Sequence, residues 1–202
     1  MTFWCGMDNM NKEYEKIIRE EWFKDHQVLE HDLIGYSKGR SPIETLIWGK
    51  PGTIHYKIFY TLINRHGVLS VYGDLGEAVY RWYGNTWLEG IARFNLDYFH
   101  GKTTASELGR VGINYDWDEG IARKSIFEHF KEEMDCKGYK KFLDSYLAET
   151  LHNKNEFIAE LNAGGYHDIF GQDYWEWLYG VGDHIPIRTQ AHLIGIKMAF
   201  GK

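Results

Sequence analysis

The sequence predicts an α+β fold: a small antiparallel sheet of three to four strands over about residues 44–84, packed with an N-terminal helix and followed by a helical C-terminal half. Two observations carry this prediction. In TIHYKIFYTLI, Thr53 to Ile63, the apolar period is two, with Ile54, Tyr56, Ile58, Tyr60 and Leu62 on one face of a strand. On either side of the central segment the period is helical. Tyr14, Ile18 and Trp22 lie four apart in NKEYEKIIREEWFKDH, and YKKFLDSYLAETLH places Tyr139, Phe142, Leu143, Tyr146, Leu147, Thr150 and Leu151 on one stripe.

The elements follow in order. Residues 1–9 read as a loose lead-in, and residues 10–202 as one continuous domain, sheet-containing to about 111 and helical over 112–202. The first helix, capped by Asn9 or Asn11, is expected to run on through HQVLEHDLI until Gly35. Gly39 to Gly52 is a loop holding a short strand, Glu44 to Trp48. After the main strand, Asn64–Gly67 is a turn, VLSVYG returns, and AVYRWYG follows as a third strand. NTWLEGIARFNLDYFHGK reads as a single helix with Trp87, Ile91 and Phe94 on one side, ended by Gly101. About fifteen irregular residues follow, with one helical turn at ASELGR. DWDEGIARKSIFEHFKEEM is a helix with Ile126, Phe127, Phe130 and Met134 inward, then come the Tyr139 helix and a shorter one at Asn155–Leu161. DYWEWLYG gives a turn or two of aromatic helix, and IRTQAHLIGIKMAFGK is a last helix or a closing strand.

Composition narrows the class. An aromatic share of 16%, mostly tyrosine and tryptophan, suits a core that reaches a surface or an interface. Two cysteines, Cys5 and Cys136, make no disulfide framework, which points to a reducing, cytoplasmic compartment. No apolar run approaches a membrane span, so no membrane partner is expected. The net charge of −6 is uneven: residues 112–183 hold 15 acids against 7 bases, whereas residues 36–111 hold 6 acids against 9 bases. An acidic helical part thus meets a mildly basic centre, a distribution that suits either solvated helix faces or a surface aimed at a basic partner.

Candidate site residues fall in two stretches. In VYGDLGEAVYRWYG, Asp74 and Glu77 occupy a glycine-flanked turn, followed by Arg81 and Trp82. Aspartate between glycines is what a hairpin turn needs, so the turn reading leads. LDYFHGKTTASE gathers Asp97, Tyr98, His100, Lys102, Ser106 and Glu107 around a helix end, a set able to serve acid–base work or anion binding. GKPGT lacks the spacing of a phosphate loop and precedes a strand rather than a helix. His26 with Glu30, His31 and Asp32, and His167 with Asp168 and Asp173, match no metal-ligand spacing. No metal site is expected and no cofactor is indicated. Nor is there a GxSxG elbow for nucleophilic catalysis. Lys38, Arg40, Lys50, Lys57, Arg65, Arg81 and Arg93 stand among aromatics, which gives direct nucleic-acid binding modest support, but the chain as a whole is acidic.

WGKPGT, GDLGEAVYRW and LDYFHGKTTASE together resemble small accessory proteins of bacterial phages and other mobile elements. The resemblance rests on Gly49, Pro51, Gly52, Tyr56, the GDLGEAVY run from Gly73 to Tyr80, Trp82, the LDYF run from Leu96 to Phe99, Lys102, Ser106 and Glu107. It covers about sixty residues and leaves the terminal helices outside. It implies no catalytic residue. What it implies is a phage-borne, non-catalytic inhibitor of a host defence system, of the anti-CRISPR type, acting on a host protein or nucleoprotein complex through an acidic and aromatic surface. Two alternatives stay open: a nucleotide-binding or hydrolytic enzyme or ligand sponge using residues 97–107, and a phage DNA-binding accessory protein. A homo-oligomer is compatible with each.

Overall fold

The structure is a computed structural model that describes residues 12–35, 42–106, 115–133 and 135–201. It is α+β, as the sequence predicts, with six strands in the main antiparallel sheet where three to four were expected. The chain divides into two compact units, one holding the described residues 12–106 and 185–201, the other residues 115–184. Residues 185–201, grouped by the sequence with the helical half, thus belong with the sheet.

In the sheet unit the strands follow one another as a meander, β1 (Gln27–Ile34), β2 (Ile43–Gly49), β3 (Ile58–Ile63), β4 (Val68–Gly73), β5 (Ala78–Arg81) and β6 (Thr103–Ser106). Alternation dictates the buried face: Leu46, Trp48, Ile58, Tyr60, Leu62, Leu69, Val71 and Tyr80 are all inside. Helix α1 (residues 12–17) runs into a π turn at Ile18–Trp22 and adds Ile18 and Phe23 to this core.

β1 replaces the expected helical extension. Leu29 and Leu33, four apart, share a face in a helix and in a strand alike, so local spacing does not separate the two; antiparallel pairing with β2 decides. The main strand also begins later than its alternation suggests. Residues 54–57 form a turn, in which the Lys57 amide donates to the Ile54 carbonyl and Tyr56 takes a positive φ of 54°.

The expected helix over 85–102 is two short ones, α2 (Leu88–Ile91) and α3 (Leu96–His100). Asn95 interrupts it by capping α3, its Oδ1 accepting from the Tyr98 amide at 2.7 Å. β6 then occupies residues expected to be irregular.

The tail is helix α10 (Ile187–Ala199), with Gln190 to Ile196 buried without a break. At Gly195 a Cβ would overlap the Tyr60 hydroxyl and lie 3.2 Å from Trp48 Cδ1, so only glycine lets α10 approach the sheet this closely.

The helical unit contains α4 (Glu119–Glu132), α5 (Cys136–Leu143), α6 (Tyr146–Glu149), α7 (Lys154–Ala163), α8 (His167–Phe170) and α9 (Trp175–Leu178). Two residues each from β7 (Asp116–Trp117) and β8 (Asp183–His184) close it as a small ladder. Caps explain the starts: Asp118 accepts from Ile121 N at 2.8 Å, and Asn153 accepts from Asn155 N at 2.9 Å.

The long stripe predicted from Tyr139 to Leu151 is broken at Asp144–Ser145, where Ser145 Oγ donates to the Phe142 carbonyl at 2.6 Å and its backbone turns extended. Consequently Leu143 and Tyr146 face outward, and only Phe142, Leu147, Thr150 and Leu151 of that stripe are fully inside. Phe127 is also exposed rather than inward, and the expected Met134 lies outside the described residues.

Candidate binding surfaces

The sequence-predicted site residues separate into two groups. Asp74 and Glu77 sit in the β4–β5 turn at one end of β5, and Arg81 and Trp82 leave its other end. Asp74 is structural in its contacts. Its Oδ2 accepts from the Tyr56 amide at 2.8 Å and its own amide donates to the Lys57 carbonyl at 3.0 Å, so it fastens the loop ahead of β3, where Tyr56 stacks on Trp22 at 5.0 Å. Glu77 is exposed beside it.

The second group forms a corner of the sheet unit. β6 runs beside β5, and the Arg81 amide donates to the Lys102 carbonyl at 2.9 Å, which brings Lys102 to Arg81. An aromatic ladder climbs outward from the core: buried Trp82, then Phe94 at 5.7 Å, then Tyr98 at 4.8 Å from Phe94, with Lys102 Nζ lying 4.7 Å from the Tyr98 ring centre. Asp97 is exposed on the same helix. His100 points inward and is buried, and burial lowers its pKa to about 4, so the imidazole is neutral near pH 7. Of the expected His–Lys–Tyr set, then, Tyr98 and Lys102 meet at the surface and His100 does not join them. Glu107 lies outside the described residues.

The helical unit carries a different surface, which no motif marked. Around α8 and α9, Trp175 (42% exposed) and Tyr179 (38%) stand among the exposed carboxylates Asp168, Asp173 and Glu176. The scaffold beneath is packed: Phe170, Tyr174 and Leu178 are buried, and Phe170 lies against Phe130 and Phe142 at 5.4 and 5.7 Å. Tyr179 donates to Asn162 Oδ1 and Tyr166 donates to Glu160, tying α7 to this face. The Glu160 carboxylate and burial together push the Tyr166 phenol upward, burial being the larger cause. Between Lys154 and Arg188 the chain has no lysine or arginine, so this face keeps its negative charge uncompensated by neighbours in sequence. That gap in basic residues was the available sequence signal.

Nearby, Ile121, Ser125, Glu176, Trp177, Gly180, Val181 and Asp183 line a shallow cleft of about 250 Å³. Asp183 is ion-paired with Lys154. Among the described residues no group of three or more His, Cys, Asp or Glu side chains is arranged to hold a metal, and no helix is long and apolar enough to cross a membrane. No family model, curated protein or solved structure matches the chain.

Proposed function

We propose that this protein acts by contact, as a phage-encoded inhibitor of a host defence component, and that it presents the α8–α9 face to that component. The observation that carries this reading is the seating of Trp175 and Tyr179: two partly exposed aromatics in a stretch whose Phe170, Tyr174 and Leu178 are buried and whose carboxylates Asp168, Asp173 and Glu176 are exposed. Rigid amphipathic aromatics are the residues on which interface energy concentrates, and they lose little conformational freedom on binding. The carboxylates around them steer a basic partner toward the face and set the orientation of docking. A basic nucleic-acid-binding channel in a defence effector has the complementary charge.

The corner at Arg81, Tyr98 and Lys102 supports a subsidiary contact rather than acid–base chemistry, because its histidine is turned into the core. The test is capture of a partner by the wild-type chain and by Trp175→Ala/Tyr179→Ala. The proposal requires a stoichiometric complex that the double variant loses while its thermal stability is kept.

A further inference from the structure

β1 offers a second mode of recognition, independent of the α8–α9 face. All eight of its residues are exposed, and it lies at the edge of the six-stranded sheet, paired on one side with β2. Among the described residues nothing pairs with its other side. An antiparallel edge presents a row of backbone donors and acceptors to any extended chain that reaches it. Past the irregularity between Val28 and Glu30, the pairing with β2 sorts its side chains: Glu30, Asp32 and Ile34 lie opposite the outward-facing Ile47, Thr45 and Ile43, whereas His31 and Leu33 lie opposite the buried Leu46 and Glu44. Leu33 and Ile34 are more than half exposed, at 51% and 54%. His31 is held in place, with Nε2 2.9 Å from Glu44 Oε1 and its ring 5.5 Å from that of Phe200.

We propose that β1 is a strand-addition site for an extended partner segment that alternates basic with apolar residues, the basic ones opposite Glu30 and Asp32 and an apolar one beside Leu33. Charge chooses this occupant over a second copy of the chain. In the self-pairing register centred on His31, Glu30 of each copy faces Asp32 of the other, so the arrangement sets carboxylate against carboxylate twice on the outer face. Like charges directly opposite destabilise a strand pair, and opposite charges stabilise it. A lysine or arginine at those two places converts both repulsions to attractions, while main-chain bonding along the edge supplies affinity that does not depend on sequence.

The test uses two short synthetic peptides, one alternating lysine and valine and one alternating glutamate and valine, with hydrogen exchange to locate binding. The lysine–valine peptide should bind about tenfold tighter or better than its acidic counterpart and should slow exchange in residues 27–34. In Glu30→Lys/Asp32→Lys the preference should invert, with protection still at β1. Equal affinity for the two peptides, no binding of either, protection centred elsewhere, or dimerisation through β1 without peptide would each overturn the proposal. None of these outcomes bears on Trp175 and Tyr179, so failure here and failure of the α8–α9 reading are told apart.

Discussion

The Tyr80 hydroxyl lies 2.9 Å from Nδ1 of His192, joining the fifth strand of the sheet to the middle of α10 inside the core. The same histidine has its Nε2 3.3 Å from the Leu75 carbonyl, and its own carbonyl accepts from the Tyr60 hydroxyl at 2.9 Å. Three segments distant in sequence therefore meet on one residue. Burial is the main cause that lowers the His192 pKa from 6.5 to about 4, and the neighbouring Arg188 acts in the same direction.

That depression fixes a sign for the pH dependence. Below pH 6.5 the unfolded chain takes up a proton on this histidine that the folded chain refuses until about pH 4, so stability is full above 6.5 and declines between those values. His100 behaves in the same way over the same window. Urea midpoints measured from pH 7.5 to 4.5 should hold nearly level down to about pH 6.5 and fall below it. His192→Gln should be less stable at pH 7.5 but should lose less on acidification; a slope equal to that of the wild type would count against the assignment.

Gly195 makes a second prediction. Gly195→Ala puts a methyl group against the Tyr60 hydroxyl and should cost about 1–3 kcal/mol, although alanine is the better helix former. Combining it with Tyr60→Phe removes the overlapping oxygen and leaves the ring carbon at an ordinary 3.5 Å, so the double variant should recover part of the loss relative to the sum of the single ones. A double-mutant cycle in thermal denaturation checks this, and strict additivity would refute the close approach.

Asp74 should prove a stability residue. Asp74→Ala leaves the Tyr56 amide without its acceptor and should cost on the order of 1 kcal/mol. Asp74→Asn keeps a side-chain oxygen and should cost clearly less. A carboxylate needed for chemistry would instead lose function in both variants, with stability unchanged.

Asn95 decides where α3 begins. Asn95→Ala should lower stability by about 1 kcal/mol, and Asn95→Ser or Asp should restore most of it, because each supplies a capping oxygen. The measurement is the denaturation midpoint of the three variants.

The sheet's core was legible because its strands alternate: Leu46 and Trp48, Ile58 to Leu62, and Leu69 and Val71 announce a buried face at period two. β1 was not legible. It is exposed on both faces, and only hydrogen bonding to β2, a non-local event, distinguishes it from helix. Helix ends were misjudged wherever a small polar residue bonds the nearby backbone, as Asn95 and Ser145 do, since an apolar stripe carries no sign of such a break. Within the candidate sites, the turn role preferred for Asp74 agrees with its contacts to the loop before β3. The grouping of His100 with Lys102 could not be judged from spacing, because one residue decides which way a side chain on α3 points. Trp175 and Tyr179 were visible as aromatics but not as a surface. Their exposure depends on Phe170, Tyr174 and Leu178 filling the space beneath them.

If the α8–α9 face holds a partner without chemistry, as proposed, capture of that partner must depend on the face. The most direct test is affinity capture from lysates of defence-competent bacteria, read by native mass spectrometry, with wild type beside Trp175→Ala/Tyr179→Ala and beside the charge reversal Asp168→Lys/Asp173→Lys/Glu176→Lys. A stoichiometric complex with a defence effector is expected for the wild type, at least about tenfold weaker in the aromatic variant and slower to form and less salt-sensitive in the charge-reversed one. A complex of equal strength in all three, or a chain recovered alone with a small molecule bound, would contradict the proposal.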